Sequence, residues 1–273
     1  MTAVELAFLL FTPALYLLML GVELSRPARS FPSRSGWQWV GAGFLILSMA
    51  IGNVLPLYLP LDWMAEHRWI DGSGFGVAGG TIVGFVVLEL FVYVWHRSAH
   101  SFSPMWRAFH QIHHSPRRVD IPGALLFHPL ETAAYTLIPL CVTVIVLGLD
   151  PMAAAFTGCL FGFYAFFQHW NIRTPQWLGY LIQRPESHCV HHRLGLHSYN
   201  FADLPLWDIV FGSFRNPKNF MGQCGFEGSR DQQLGAMLAF ADVNTDLYGP
   251  GSRGVSPLGR SPKEPPAEFK PGS

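Results

Sequence analysis

The run GSGFGVAGGTIVGFVVLELFVYVWHRSAH, residues 72–100, decides the fold. It is uncharged from Gly72 to Leu88 and stays apolar to Trp95, interrupted only by Glu89. A helix needs roughly 17–25 mostly apolar residues to cross the hydrocarbon core of a bilayer, so the run reads as a membrane span. It ends in His96-x3-His100, a spacing that puts two imidazoles on one face of the same helix.

Outward from this run, the uncharged stretches Leu6–Val22, Ser35–Leu61, Thr132–Leu149 and Pro151–Gln168 have comparable length. Only Asp150 separates the last two, which predicts a tight helical hairpin. Pro13 and Pro139 lie inside their runs as tolerated kinks. The expected fold is all-α and integral to the membrane, with about four to five transmembrane helices and a cytoplasmic helical cap carrying histidine boxes. The first run starts after Glu5 and has no basic leader or small-residue cleavage site, so it is expected to be a retained anchor.

Composition agrees. Of 273 residues, half are apolar and 13% are charged, where soluble domains carry about 25%. Net charge is zero with histidine neutral, so the basic footprint of a nucleic-acid binder is missing. Cys141, Cys159, Cys189 and Cys224 form no CxxC pair and read as free thiols. The loop after the first run holds Arg26, Arg29 and Arg34, whereas the loop after the second holds Asp62, Glu66, Asp71 and Arg68. The positive-inside rule puts the Arg-rich loop in the cytoplasm, and every later histidine box then falls on that side of a bacterial inner membrane or endoplasmic reticulum. Three regions follow: an anchor over 1–70, a histidine-box catalytic domain over 71–215, and a polar tail over 216–273. Gly, Pro, Ser and Lys dominate the stretch Gly249–Ser273, which is expected to be disordered.

Two more boxes follow the first: His110-x2-His113-His114 and His188-x2-His191-His192. At this histidine content a single HxxHH arises by chance roughly 0.02 times in a chain of this length. Each box is expected to offer its imidazoles to a common point. Eight box histidines exceed the needs of one four-coordinate ion, so two metal ions are implied; imidazole suits Zn, Fe, Cu or Ni alike. No HExxH of a zinc peptidase is present. Ser103-Pro104 is expected to start the helix of the second box and Ser115-Pro116 to stop it; Pro185 opens a short helix for the third. Leu204–Phe211 is an apolar segment expected over the metal site or on the bilayer surface.

The motifs WHRSAH (95–100), WRAFHQIHHS (106–115), ALLFHPLE (124–131), FQHWN (167–171), HCVHH (188–192) and NFADLPLWDIVFGSF (200–214) together resemble the sterol desaturase/fatty acid hydroxylase superfamily, and its sterol-desaturase-like branch above all. Leu126 stands where Arg is common in related sequences, and Ala202 where Gly is usual. The resemblance implies a non-haem di-iron site held by the box histidines, with His128 and His169 as further ligands. It implies O2-dependent hydroxylation or desaturation of a lipid, sterol-like or fatty acyl. The chain has no cofactor motif of its own for electron supply, so a separate donor is expected, a ferredoxin or cytochrome b5 type with its reductase. The alternative is a non-catalytic metal-binding or metal-transport protein.

Ligating imidazoles need partners for their second nitrogen. Asp120, Glu131, Asn171, Asn200 and Asp208 lie close to the boxes in sequence and are candidates. Glu89 is another, because a carboxylate inside a span is costly and it lies seven residues before His96, about 10.5 Å along the same helix face.

Overall fold

The computed structural model describes residues 2–244. Every regular element among them is helical. In chain order these are α1 (Ala3–Ser25), α2 (Trp37–Val54), α3 (Leu61–Glu66), α4 (Gly76–Ser101), α5 (Ser103–Met105), α6 (Gln111–His114), α7 (Pro129–Leu140), α8 (Pro151–His169), α9 (Pro185–His191), α10 (Pro205–Val210) and α11 (Leu234–Leu238).

Four stretches are long and apolar enough to cross a membrane: Ala3–Ser25, Trp37–Tyr58, Gly72–Ser101 and Pro129–Val146. Their side chains explain why. Leu17, Leu18, Ile46 and Ile82 are each about two-thirds exposed, an arrangement that suits lipid and not water. Helix α8, 19 residues long, packs against both α1 and α4 and completes the set of five runs read from the sequence. Its seam with α4 is made of small residues: a Cβ added to Gly84 would sit 2.6 Å from Thr157 Oγ1, so the backbones approach as they do in membrane helix pairs.

Local chemistry fixes the ends. Thr2 and Glu5 form a reciprocal capping box on α1, and Asp150 Oδ1 accepts from Met152 N at 2.8 Å to start α8, closing the expected hairpin with α7. Pro139 lies near the end of α7, where the chain passes into a π turn over Cys141–Val146. Ser103 does not cap the second-box helix as expected. Phe102 occupies that position, because α4 runs to Ser101 and leaves no room for an N-terminal loop, and a π turn over Trp106–His110 separates α5 from α6.

The first part of the segment set apart at residue 216 in sequence is ordered against the rest of the chain. Residues 216–244 pack onto the cap: Phe226 and Met237 join Trp37, Trp106, Ile112 and Leu126 in one core cluster. Phe226 N donates to Ser115 O, and Gly225, with φ +79°, lies so close to Pro116 that no side chain would fit. Buried aromatic and Met side chains, few but well placed, outweigh the polar composition that sets the segment apart in sequence. The stretch Gly249–Ser273 lies outside the described residues.

Candidate metal centre

Nine histidines gather in two adjoining buried groups: His96, His100, His110, His114 and His191 in one, and His113, His169, His188 and His192 in the other. Within each group the candidate ligand atoms all lie within 4.8 Å of one another. The groups abut where the His114 and His192 rings stack at 4.2 Å.

The boxes do not each serve a common point, as the spacing suggests. Each HxxHH box is divided: His110 and His114 enter the first group and His113 the second, while His188 and His192 enter the second and His191 the first. Helix geometry is the reason. Residues i and i+4 nearly overlie, whereas i+3 and i+4 point about 100° apart, so a helix lying between two sites supplies both. The two boxes thus interlock, with His96 and His100 from α4 completing one group and His169 from the end of α8 the other.

Hydrogen bonds fix the tautomers. His96 Nδ1 lies 2.6 Å from Phe201 O, His191 Nδ1 2.8 Å from Tyr199 O, His169 Nδ1 2.7 Å from Ala165 O and His110 Nδ1 2.5 Å from Glu131 Oε1. Carbonyl and carboxylate oxygens accept, so Nδ1 carries the hydrogen and Nε2 offers a lone pair. The Nε2 atoms of these and other box histidines converge. His114 Nε2 is 3.0 Å from Nε2 of both His110 and His191, and His169 Nε2 is 3.1 Å from Nε2 of both His113 and His188. Nitrogen lone pairs so close repel unless a cation or proton sits between them, and both nitrogens of His100 are buried without a partner. Burial, reinforced by the neighbouring histidines, holds His110, His113, His114, His188, His191 and His192 below the usual imidazole range, which keeps them neutral and able to ligate. The donor set fits two metal ions.

The remaining sequence candidates divide sharply. His128, which the resemblance implies as a ligand, belongs to neither group: its Nδ1 accepts from Leu130 N at 3.1 Å and caps α7. The Pro129 that follows sets the helix start and turns the ring back onto its own backbone. Glu131 is a direct partner, through His110. Asp208 and Asn200 act through the backbone. Asp208 accepts from Phe201 N and Ala202 N, and Asn200, with φ +59°, bonds Ser187 O and Arg215. Together they hold the loop whose carbonyls orient His96 and His191. Burial lifts the Asp208 carboxyl to about 6.

Glu89 is fully buried, and its Oε2 accepts from Asp203 N and Leu204 N, fixing the next turn of that loop from the membrane side. Asp120 and Asn171 touch no histidine. Asp120 accepts from the Trp37 indole and from Arg118, and Asn171 bonds both backbone polar groups of Arg29. Both secure the chain between α1 and the start of α2 to the cap.

Several contributors escape sequence reasoning. The carbonyls of Ala165, Tyr199 and Phe201 leave no signature, because every residue has one. Glu23, at the end of α1, accepts from Ile121 N and Asn171 N and ties the anchor to the cap; the only signal was a carboxylate closing an apolar run. His197 packs against His100 and His114, with rings 5.6 and 4.8 Å away. A cavity of about 170 Å³ opens beside the two groups, lined by His96, His110, His113, His169 and His188 together with Thr12 of α1 and Ser48 of α2. Phe161 and Phe166 of the aromatic stretch on α8 form part of its wall. Leu206, Ile209 and Val210 of α10 are exposed, while Trp207 bonds Val86 O of α4, which sets this segment beside the membrane span.

Residues 81–213 match the fatty acid hydroxylase family, so the resemblance carried by the boxes holds. An ornithine lipid hydroxylase of Rhizobium tropici is 29% identical over 64% of this chain and 54% of its own length. A very-long-chain aldehyde decarbonylase of Oryza sativa subsp. indica is 27% identical over 48% of the chain and 53% of its own, and a sphinganine C4-monooxygenase of Arabidopsis thaliana 26% over 49% and 53%. The chain thus spans about half the length of these curated relatives. No solved structure matches.

Proposed function

The histidine-box region of this chain belongs to the sterol desaturase/fatty acid hydroxylase superfamily, and from that premise we propose that the protein is a membrane-bound non-haem di-iron oxygenase that hydroxylates or desaturates a lipid. The observation that carries the reading is the pairing of two convergent imidazole groups with a cavity that leads from them to the membrane spans. A transporter has no need of an apolar pocket lined by five histidines drawn from two buried groups.

Two irons bound there would supply an oxidant, from O2 and electrons, able to take hydrogen from an unactivated C–H bond. The chain's own residues do the rest. His96, His100, His110, His114 and His191 would hold one ion, and His113, His169, His188 and His192 the other. Glu131 and the carbonyls of Phe201, Tyr199 and Ala165 keep the rings in the right tautomer and orientation. Phe127, Phe161 and Phe166 wall the cavity, exclude water and align an acyl or ring system against the histidines. The substrate enters sideways from the bilayer, and electrons arrive at the cytoplasmic face from a separate ferredoxin or cytochrome b5 type donor.

The test is the metal content and visible spectrum of detergent-purified full-length protein from iron-replete cells. The expected result is about two irons per chain, with no Soret band. Zinc or haem in their place, or no metal, overturns the reading.

A further inference from the structure

Asp203 is a carboxylate that the metal centre does not use. It is 5% exposed and lines the cavity in company with His96 and His188, one from each histidine group. Gln168 Nε2 donates to its Oδ1 at 2.6 Å, and its backbone is pinned by Glu89 and Gln183. Its Oδ2 is buried with no hydrogen-bond partner, and no ion pair among the described residues includes it. A buried carboxylate left unpaired is costly. The fold nevertheless locks this one in place from three sides, with the unpaired oxygen left over.

Two hydroxyls border the same, mainly apolar space. Thr132 Oγ1 and Ser48 Oγ are buried without partners, and both residues line the same space. A pocket built for the methyl end of a chain would have no use for these groups, because each would lose its water to a hydrocarbon that returns nothing. A buried carboxylate is compensated by a proton or by a cation. Burial, which lifts the Asp203 carboxyl to about 7, makes that compensation matter more, since an ammonium beside it restores the charged form.

We propose that Asp203 is the recognition site for the ammonium group of an amino lipid, held at the histidine end of the cavity. This rests on the oxygenase reading and names its substrate class. The ammonium donates to Oδ2, the Thr132 hydroxyl takes a neighbouring polar group, and the carbons next to the amine lie against the histidines. A sterol or a simple fatty acid lacks the cation and leaves Asp203 unpaired.

The experiment is lipid titration of the metal-loaded, full-length protein in non-ionic detergent, followed by native mass spectrometry. Octadecylamine is compared with octadecanol, which has the same chain without the charge. The expected result is at least tenfold tighter binding of the amine by the wild type, and Asp203→Asn bringing the amine down to the level of the alcohol. Asn keeps the acceptor for Gln168, and the wild-type comparison needs no variant at all. Equal binding of the two lipids by the wild type, or an amine preference that survives in Asp203→Asn, overturns the proposal. The readout is affinity and not turnover, so this failure is distinct from failure of the oxygenase reading, which the iron content decides.

Discussion

His110 Nδ1 lies 2.5 Å from Glu131 Oε1, joining the π turn before α6 to the first turn of α7 across 21 residues of sequence. Both groups are almost fully buried. The carboxylate fixes His110 as the Nδ1–H tautomer and aims its Nε2 at His114.

Removing that carboxylate frees the ring. Glu131→Ala is expected to weaken metal binding by about 10–100-fold, the usual effect of losing a ligand's hydrogen-bond partner. Glu131→Gln keeps an acceptor oxygen and should retain most of it. Metal titration of the purified variants measures both, and equal affinity of Glu131→Ala and wild type would contradict the assigned role.

His128 has the opposite expectation. It caps α7 and lies outside both groups, so His128→Ala should lower stability by about 1 kcal/mol while the metal content stays at the wild-type value. Asn is a good capping residue, and His128→Asn should recover the lost stability. Loss of one metal equivalent in either variant would restore His128 to the ligand set.

Asp208 links two backbone amides and the Ser213 hydroxyl. Asp208→Ala leaves those donors buried and unpaired, at a cost of about 2–3 kcal/mol, and releases the loop that orients His96 and His191. The expected outcome is a lower thermal midpoint together with reduced affinity for one metal, because both affected histidines belong to the same group. Stepwise metal titration reads the difference; uniform loss at both sites would argue for general unfolding.

The α4–α8 seam offers a test of the fold apart from the chemistry. A Cβ at Gly84 would sit 2.6 Å from Thr157 Oγ1 and 2.8 Å from Leu149 Cδ1. Gly84→Val is therefore expected to destabilise the protein by about 1–3 kcal/mol through overpacking. Gly158, with open space around its Cβ position, is the control, and Gly158→Ala should leave the thermal midpoint nearly unchanged.

Sequence alone determined the helical membrane architecture, because span length and hydrophobicity are properties of contiguous residues: the runs beginning at Leu6, Ser35, Gly72, Thr132 and Pro151 all became helices. It also named all nine histidines that gather in the two groups, eight through box spacing, which is local to a helix turn, and His169 through the resemblance, together with His128, which joins neither group. How the boxes share their ligands was decided only in three dimensions. The division of His113 from His114, and of His191 from His192, depends on α6 and α9 lying between two sites, which no spacing within one box reveals. The same holds for the partners. Asp120 and Asn171 stand near boxes in sequence yet brace the chain between α1 and the start of α2, while the acceptors for His96, His169 and His191 are backbone carbonyls, present at every residue and given a role only by where the chain carries them. Periodicity and composition are encoded along the chain; the direction in which a side chain meets its partner is set by packing, and packing belongs to the tertiary structure.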